Sequence, residues 1–152
     1  MYFVYAIIIV GLIGIDYFAK YLVVANFSVS QSVPLWPEVF HLTYAQNTGA
    51  AFSIFSEHTV ILTVVTLIIM AGIITYWIVS RPKNKLLLTA LSFIIAGGIG
   101  NIIDRLTRGF VVDFFDVRII NFAIFNTADV FVSIGAGLLI LYLLFFERTK
   151  NG

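Results

Sequence analysis

Two aspartates, Asp113 and Asp129, are the residues of this sequence best suited to act as a pair. Asp113 lies in the apolar run Val-Val-Asp-Phe, and such surroundings disfavour a charged carboxylate. Asp129 follows Asn126 by three residues, a pattern typical of a helix N-terminus, which favours an ionised carboxylate. When two carboxyls share one proton, one activates water and the other polarises a carbonyl. The two residues therefore predict an acid–base pair of the aspartic-protease type. Capping alone would also explain Asn126 and Asp129, and the two roles are compatible.

Other hydrolytic chemistries lack their residues. The chain has no cysteine, which excludes a thiol nucleophile and disulfides, and no His-Glu-x-x-His motif for zinc. His41 and His58 both fall in one loop between apolar stretches, outside any metal-ligand pattern, so we interpret them as loop residues and expect no metal or cofactor. A net charge of +1 is too small to indicate nucleic-acid binding.

The elements that must position these aspartates are membrane spans. The 152 residues are 61% hydrophobic and 11% charged, and the mean hydropathy is +1.03, which excludes an ordinary water-soluble domain. A bilayer core requires about 20 apolar residues in a helix. Four stretches qualify as spans of one domain covering residues 1–152: Met1–Ala25, Val60–Val79, Leu86–Ile103 and Phe122–Phe146. The first lacks a basic leader and a cleavage site, so we expect an uncleaved helix.

Basic residues predict the orientation of the spans. With four spans, both termini and the loop Ser80–Lys85 share one side, which carries five Lys and Arg residues. The other side carries three, and none of them lies in Asn26–Thr59. The positive-inside rule then places the termini in the cytoplasm and the two longer loops outside. The β-prone run Val39–Tyr44 predicts a strand or hairpin in the first outer loop. Alternatively, Trp36, Phe40 and Tyr44 are aromatics at headgroup level.

Polar residues that are costly inside a membrane gather toward the predicted outer ends of the spans. Asp16 and Lys20 are four residues apart, which places them on one helix face as an ion pair. Alternatively, the pair only neutralises itself while Lys20 extends toward the interface. Asn101 and Arg105 share the same spacing, with an interfacial arginine anchor as the plainer interpretation. The preceding glycines, Gly97 to Gly100, allow close packing, and we interpret Asp116 as an ordinary interfacial charge.

Five motifs in this order resemble the lipoprotein signal peptidases (signal peptidase II) of bacteria. They are Asp16-Tyr17-Phe18-Ala19-Lys20, Asn47-Thr48-Gly49-Ala50-Ala51-Phe52-Ser53, Gly97-Gly98-Ile99-Gly100-Asn101-Ile102-Ile103-Asp104-Arg105, Val111-Val112-Asp113-Phe114 and Phe125-Asn126-Thr127-Ala128-Asp129. The resemblance implies an all-α membrane protein with four transmembrane helices, a small extracytoplasmic β-sheet and a surface helix. The chain departs from the family at Tyr17, where Gln is usual, and at Val130, where Ser is frequent.

The resemblance also implies an activity and its residues. The enzyme would cleave diacylglyceryl-modified prolipoproteins on the amino side of the lipidated cysteine, in the bacterial cytoplasmic (inner) membrane, with its active site on the outer side. The implied catalytic dyad is Asp113 and Asp129. The implied supporting residues are Asp16, Lys20, Asn47, Gly49, Asn101, Arg105, Asn126 and Ala128. It further implies inhibition by globomycin-type depsipeptides, and we expect a monomer in contact with membrane lipid.

The residues alone also allow a different class of protein. Four spans with charged residues also fit a small transporter or channel subunit. Such a protein should place polar groups along a path through the membrane. Here the second span has no ionisable residue and the polar residues cluster at one side, which disfavours a pore. A presenilin-like protease is disfavoured because Gly98-Ile99-Gly100 is followed by Asn101 rather than Asp.

Overall fold

The computed structural model describes residues 1–49, 59–120 and 122–147. Four helices are long and apolar enough to cross a membrane, as the sequence predicts. The helices are α1 (Tyr2–Asn26), α2 (Thr59–Ser80), α3 (Lys85–Arg108) and α4 (Thr127–Tyr142), and a π-helical turn, Leu143–Glu147, extends α4. An antiparallel sheet in the order β1-β2-β3 consists of β1 (Ser32–Trp36), β2 (Phe40–Asn47) and β3 (Val111–Val117).

Helix α3 is the centre of the bundle. Two-thirds of its apolar window is buried, whereas the windows of the other three helices are at most 17% buried and present their apolar side chains outward. Apolar side chains on the outside are stable only against lipid, which agrees with four membrane spans. Glycines bring α3 and α4 together: a Cβ on Gly97 would overlap the Ala128 carbonyl, and one on Gly135 would lie 2.7 Å from the Ala90 carbonyl oxygen.

The sheet packs on the end of α1. Its hairpin, β1–β2, includes the predicted β-prone run, and β3 adds a third strand that the sequence analysis did not identify. The apolar cluster beneath it joins Val23 of α1 to Tyr44, Val112 and Phe114. Tyr44 is therefore a core residue and not an interfacial aromatic, whereas Trp36 is 66% exposed.

Two expectations need correction, the start of the fourth span and the assignment of His41 to a loop. A third concerns the surface helix. The fourth span begins at Thr127 rather than Phe122, because Asn126 caps the helix there. His41 lies within β2 and is buried, so it is not a loop residue, and His58 lies outside the described residues. Within the described ranges, the helix outside the spans is the short 3-10 turn Arg118–Ile120.

Two hydrogen bonds show which helix ends lie together at one end of the bundle. The Tyr2 hydroxyl donates to the Pro82 carbonyl, and the Tyr5 hydroxyl to the Lys85 carbonyl, so the start of α1 lies beside the α2–α3 loop. The sheet and the start of α4 lie at the opposite end. The basic loop and the polar cluster of the sequence analysis are thus separated by the length of the helices.

Candidate active site

Asp113 and Asp129 are brought together by two different elements. Asp113 lies on β3, and Asp129 lies in the first turn of α4. Both line one cavity of about 740 Å³ that also extends between α2, α3 and α4. Asp113 is 2% exposed. The sequence-predicted pair therefore shares one site, at the end of the bundle that carries the sheet.

Asn126 joins the two carboxyl groups. Its side-chain amide donates to Asp113 Oδ1 (2.6 Å), and its backbone N–H donates to Asp129 Oδ2 (3.2 Å). The side-chain oxygen of Asn126 accepts from the Asp129 N–H (3.0 Å), which completes a capping box. The residue that caps α4 therefore also donates hydrogen bonds to both carboxylates, so capping and positioning of the pair are compatible here.

Two further asparagines each donate to one member of the pair. Asn47 of β2 donates to Asp113 Oδ2 at 2.8 Å, and Asn101 of α3 donates to Asp129 Oδ1 at 2.8 Å. Asn101 in turn accepts from Lys20 Nζ at 3.0 Å. Each of the four carboxyl oxygens therefore has one amide donor, which fixes its position and leaves a second lone pair for a proton or a water molecule.

A buried ionic cluster lies behind these donors. Lys20 Nζ is 2.9 Å from Asp16 Oδ2, as the spacing predicts, and 3.2 Å from Asp104 Oδ2. The three residues are each 1% exposed. Lys20 therefore points into the bundle and does not extend toward the interface. Arg108 adds a second cation to Asp104 at 3.2 Å.

The ionic cluster also holds the backbone next to each carboxylate. Asp16 Oδ1 accepts from the Thr127 hydroxyl and, at 2.9 Å, from the Ala128 N–H, one residue before Asp129. Asp104 Oδ2 accepts from the Val112 N–H at 3.0 Å, one residue before Asp113. Two buried carboxylates thus fix the approach of α4 and β3 to the site.

Arg105 and Gly49 form one edge of the cavity. The Arg105 guanidinium donates to the Gly49 carbonyl at 3.2 Å, and Gly49 N–H donates to Asn47 Oδ1 at 2.9 Å. Arg105 Nε is buried without a hydrogen-bond partner in the described part of the chain. Arg105 lines the same cavity as the two aspartates.

The pKa values of the two carboxyls on β3 are shifted in opposite directions. Burial and the neighbouring Asp129 carboxylate raise the pKa of Asp113 to about 7, although hydrogen bonds from Asn47 and Asn126 oppose this. For Asp116, burial raises the pKa, but hydrogen bonds from Thr43 and Arg118 outweigh it and bring the pKa below its ordinary value. Asp116 pairs with Arg118 at 3.0 Å, as expected of an ordinary charge. The described residues contain no group of three His, Asp or Glu that fits a metal ion.

Sequence reasoning missed two residues of this site, Asp104 and Thr127. Both lie inside the motifs that carry the resemblance, and Asp104 is four residues before Arg108, which marks an ion pair. Their contacts to Val112 and Asp16 connect distant parts of the chain, so local spacing gives no signal for them.

Replacing Asn126 by Ala is expected to impair the site far more than the helix. Loss of an N-cap costs about 1 kcal/mol, but Asp113 would also lose the side-chain donor to its Oδ1, whereas the backbone N–H that donates to Asp129 is retained. Asn84, which caps α3 at the opposite end through the Leu87 N–H, offers a matched control. We expect Asn84→Ala to lower the melting temperature similarly while retaining the hydrolytic activity that the sequence predicts for the aspartate pair. Equal activity of the two variants would contradict this.

The fold and the site together define a multi-pass membrane protein with paired carboxyls at one end of its bundle. Comparison with known proteins identifies its family. Residues 8–145 match the family model described as signal peptidase (SPase) II. The lipoprotein signal peptidase of Streptococcus thermophilus is 43% identical over 144 residues, which cover 95% of this chain and 92% of that protein. That of Brevibacillus brevis is 40% identical over 147 residues, covering 97% and 98%.

A solved structure agrees with these relatives. It is described as a bacterial membrane enzyme determined by the in meso method at 2.3 Å resolution. It superposes with a TM-score of 0.88 at 33% identity and covers 97% of this chain and 90% of that one. The chain belongs to the signal peptidase II family, and it is a multi-pass bacterial membrane protease.

Proposed function

We propose that this protein is a membrane aspartic endopeptidase that removes signal peptides from diacylglyceryl-modified prolipoproteins, cleaving on the amino side of the lipidated cysteine. The observation that carries the aspartic mechanism is the sharing of one cavity and one bridging residue, Asn126, by Asp113 and Asp129. Family membership supports the substrate class, because the curated relatives are lipoprotein signal peptidases. We propose that residues 1–152 act as one membrane-embedded domain.

The charge balance of the site supports a dyad that holds one proton. Four aspartates lie in this region, two on Lys20 and two on the cavity, and the nearby cations are Lys20, Arg105 and Arg108. Four carboxylates against three cations leave one negative charge in excess, and an uncompensated buried charge is costly. One proton shared by Asp113 and Asp129 removes the excess. That is the protonation state needed for acid–base hydrolysis.

The proposed reaction needs only water and the two carboxyls. The ionised member takes a proton from water as the oxygen attacks the scissile carbonyl, and the protonated member donates to the carbonyl oxygen. Collapse of the tetrahedral intermediate breaks the C–N bond, and the cysteine amine leaves with a proton from the dyad. The asparagine donors keep both carboxyls in place, and Arg105 and the supporting residues hold the substrate backbone.

The cavity fits a substrate that arrives through the membrane. Its walls descend from the dyad along α2, α3 and α4, and these include Ile69, Ile94 and Ile134. A signal peptide and acyl chains can reach such a cavity sideways without leaving the lipid. We propose that the dyad end faces the outer surface and that both termini lie in the cytoplasm, which agrees with the basic loop at the opposite end.

A transporter is the weaker candidate. A conduction path needs polar groups across the membrane, whereas the buried charges found among the described residues lie near the sheet and α2 contributes none. Family membership also favours the peptidase.

The assay that tests the proposed function uses purified protein and one precursor in two forms, with and without the diacylglyceryl group. We expect rapid cleavage of the lipidated form alone, and N-terminal analysis should place the lipidated cysteine first in the product. Globomycin-type depsipeptides should inhibit, and the protein should run as a monomer in detergent. Absence of cleavage of the lipidated precursor would refute the proposal.

Activity should decline at alkaline pH. The pKa of Asp113 is raised to about 7, so the dyad loses its shared proton as the pH rises through that value. We expect kcat/KM to fall about tenfold per pH unit on the alkaline side, because the reaction needs one carboxyl protonated. A profile measured from pH 5 to 9, with melting curves at each pH, checks this. A flat profile to pH 9 would contradict it.

A further inference from the structure

Helix α2 is held to the bundle by one deeply inserted side chain. Met70 is 6% exposed, whereas Ile68 and Ile69 beside it are 67% and 52% exposed. Met70 packs in a small core with Ile94 and Ile102 of α3. Apart from Met70, only Thr63 is buried on this helix. The thioether of Met70 is thus the principal link between α2 and the centre of the protein.

The notch that receives Met70 exists because residue 98 is glycine. A Cβ on Gly98 would overlap Met70 Sδ and lie 3.0 Å from its Cε and 3.1 Å from its Cγ. All three nearest atoms belong to this one flexible side chain. Gly97 differs, since its Cβ would overlap the Ala128 carbonyl oxygen and would also lie 2.7 Å from Val132 Cγ2 and 3.1 Å from the Val132 nitrogen, all on α4. Gly98 therefore makes room for a side chain, and Gly97 for a helix backbone.

Met70 and Gly98 form the cavity wall directly below the dyad. Gly98 precedes Asn101, the donor to Asp129, by three residues, which is about 5 Å along the helix axis. Both Met70 and Gly98 line the same cavity as the two aspartates. A peptide bond placed at the dyad would have its next group toward the membrane at the level of this wall.

From this position we infer that Met70, seated on Gly98, is the specificity-determining residue for the side chain immediately before the cleavage point. The inference rests on the proposed function. The signal peptide continues into the membrane from the scissile bond, so its last side chain points toward the wall. Methionine is flexible and adapts its shape, which sets an upper limit on size while tolerating differences among small side chains.

The first test measures substrate preference. Two lipidated precursors carry Ala or Leu immediately before the cysteine, and kcat/KM is measured for each. We expect Met70→Ala to raise the Leu/Ala ratio at least tenfold and Met70→Phe to lower it. Ile68→Ala, on the exposed face of the same helix, should leave the ratio unchanged. An unchanged ratio in the Met70 variants overturns the inference.

The second test uses the contact itself. Gly98→Ala should reduce cleavage at least tenfold, and adding Met70→Ala should restore it, because the atoms that obstruct the new Cβ are those of Met70. Gly97→Ala should not be restored by Met70→Ala. Failure of the Gly98→Ala, Met70→Ala double variant to recover overturns the inference. If Met70→Ala does not fold in detergent, Met70→Leu replaces it in the first test, with a threefold rise expected.

Different results would refute the proposed function and the proposed role of Met70. A wild-type protein that does not cleave the lipidated precursor refutes the proposed function. A wild-type protein that cleaves it, with the same Leu/Ala ratio in every Met70 variant, refutes only the role of Met70.

Discussion

Replacing Asp113 or Asp129 by Asn is expected to reduce cleavage of a lipidated prolipoprotein at least about 1000-fold. Either change removes one of the two groups that, in the proposed mechanism, exchange protons with water and the scissile bond. Asn keeps the shape of the carboxyl group and one of its two acceptor oxygens, so one of the two amide donors at each position keeps its acceptor. The measurement is a time course of signal-peptide release in detergent or liposomes, with equal amounts of folded protein.

Asp116→Asn is the matched control for the dyad variants. Asp116 lies on the same strand as Asp113 and is also buried, but its partners are Thr43 and Arg118, outside the cavity. We expect this variant to cleave within about threefold of wild type, since its hydrogen bonds are away from the reacting groups. Cleavage near the wild-type rate by Asp113→Asn or Asp129→Asn would refute the aspartic mechanism.

Melting curves of the same variants separate chemistry from folding. The folded-state pKa of Asp113 is raised from 3.8 to about 7, so its protonated form stabilises the fold below about pH 4. That contribution is lost as the pH rises through 7. Asn cannot ionise, so the melting temperature of Asp113→Asn relative to wild type should be higher at pH 8 than at pH 4. An inactive but stable variant would assign the loss to catalysis.

Asp113 and Asp129 can be identified as a candidate pair from the sequence because their signals are local. An acid among apolar residues, and an acid three residues after a capping asparagine, are short patterns with direct physical meaning. The same capping asparagine corrects the start of α4. Hydropathy alone includes Phe122–Phe125 in the span, but Asn126 satisfies the first free N–H groups and the helix begins after it.

The long-range contacts that position Asp113 and Asp129 could not be predicted from the sequence. Strand β3 has the β-branched and aromatic composition of a strand, yet its pairing with β2 joins residues about 70 positions apart. The packing of Met70 against Gly98 likewise cannot be predicted from residue spacing. A glycine in a helix indicates close packing but not which residue packs there. The local patterns that mark the two aspartates are therefore predictable here, whereas the long-range contacts that bring them together are not.

Replacing Lys20 by Ala should have the largest effect on stability. Lys20 is the cation between Asp16 and Asp104, and it also donates to Asn101. Its removal leaves two buried carboxylates short of a partner, and breaking a buried ion pair costs about 3–5 kcal/mol. For a chain of this size that corresponds to a fall of about 10 °C in melting temperature. Cleavage should also fall about tenfold, because Asn101 loses its anchor while it holds Asp129.

A second substitution distinguishes the buried charge from the lost packing. Lys85→Ala removes the same side chain at an exposed position and should leave the melting temperature within about 1 °C. In the Lys20→Ala background, Asp104 still pairs with Arg108, so adding Asp16→Asn removes the uncompensated charge while an acceptor stays available for the Ala128 N–H. We expect this double variant to melt above Lys20→Ala alone, since neutralising both members of a buried pair is less costly than removing one. If the double variant melts lower than Lys20→Ala, the loss comes from packing and hydrogen bonding rather than from charge.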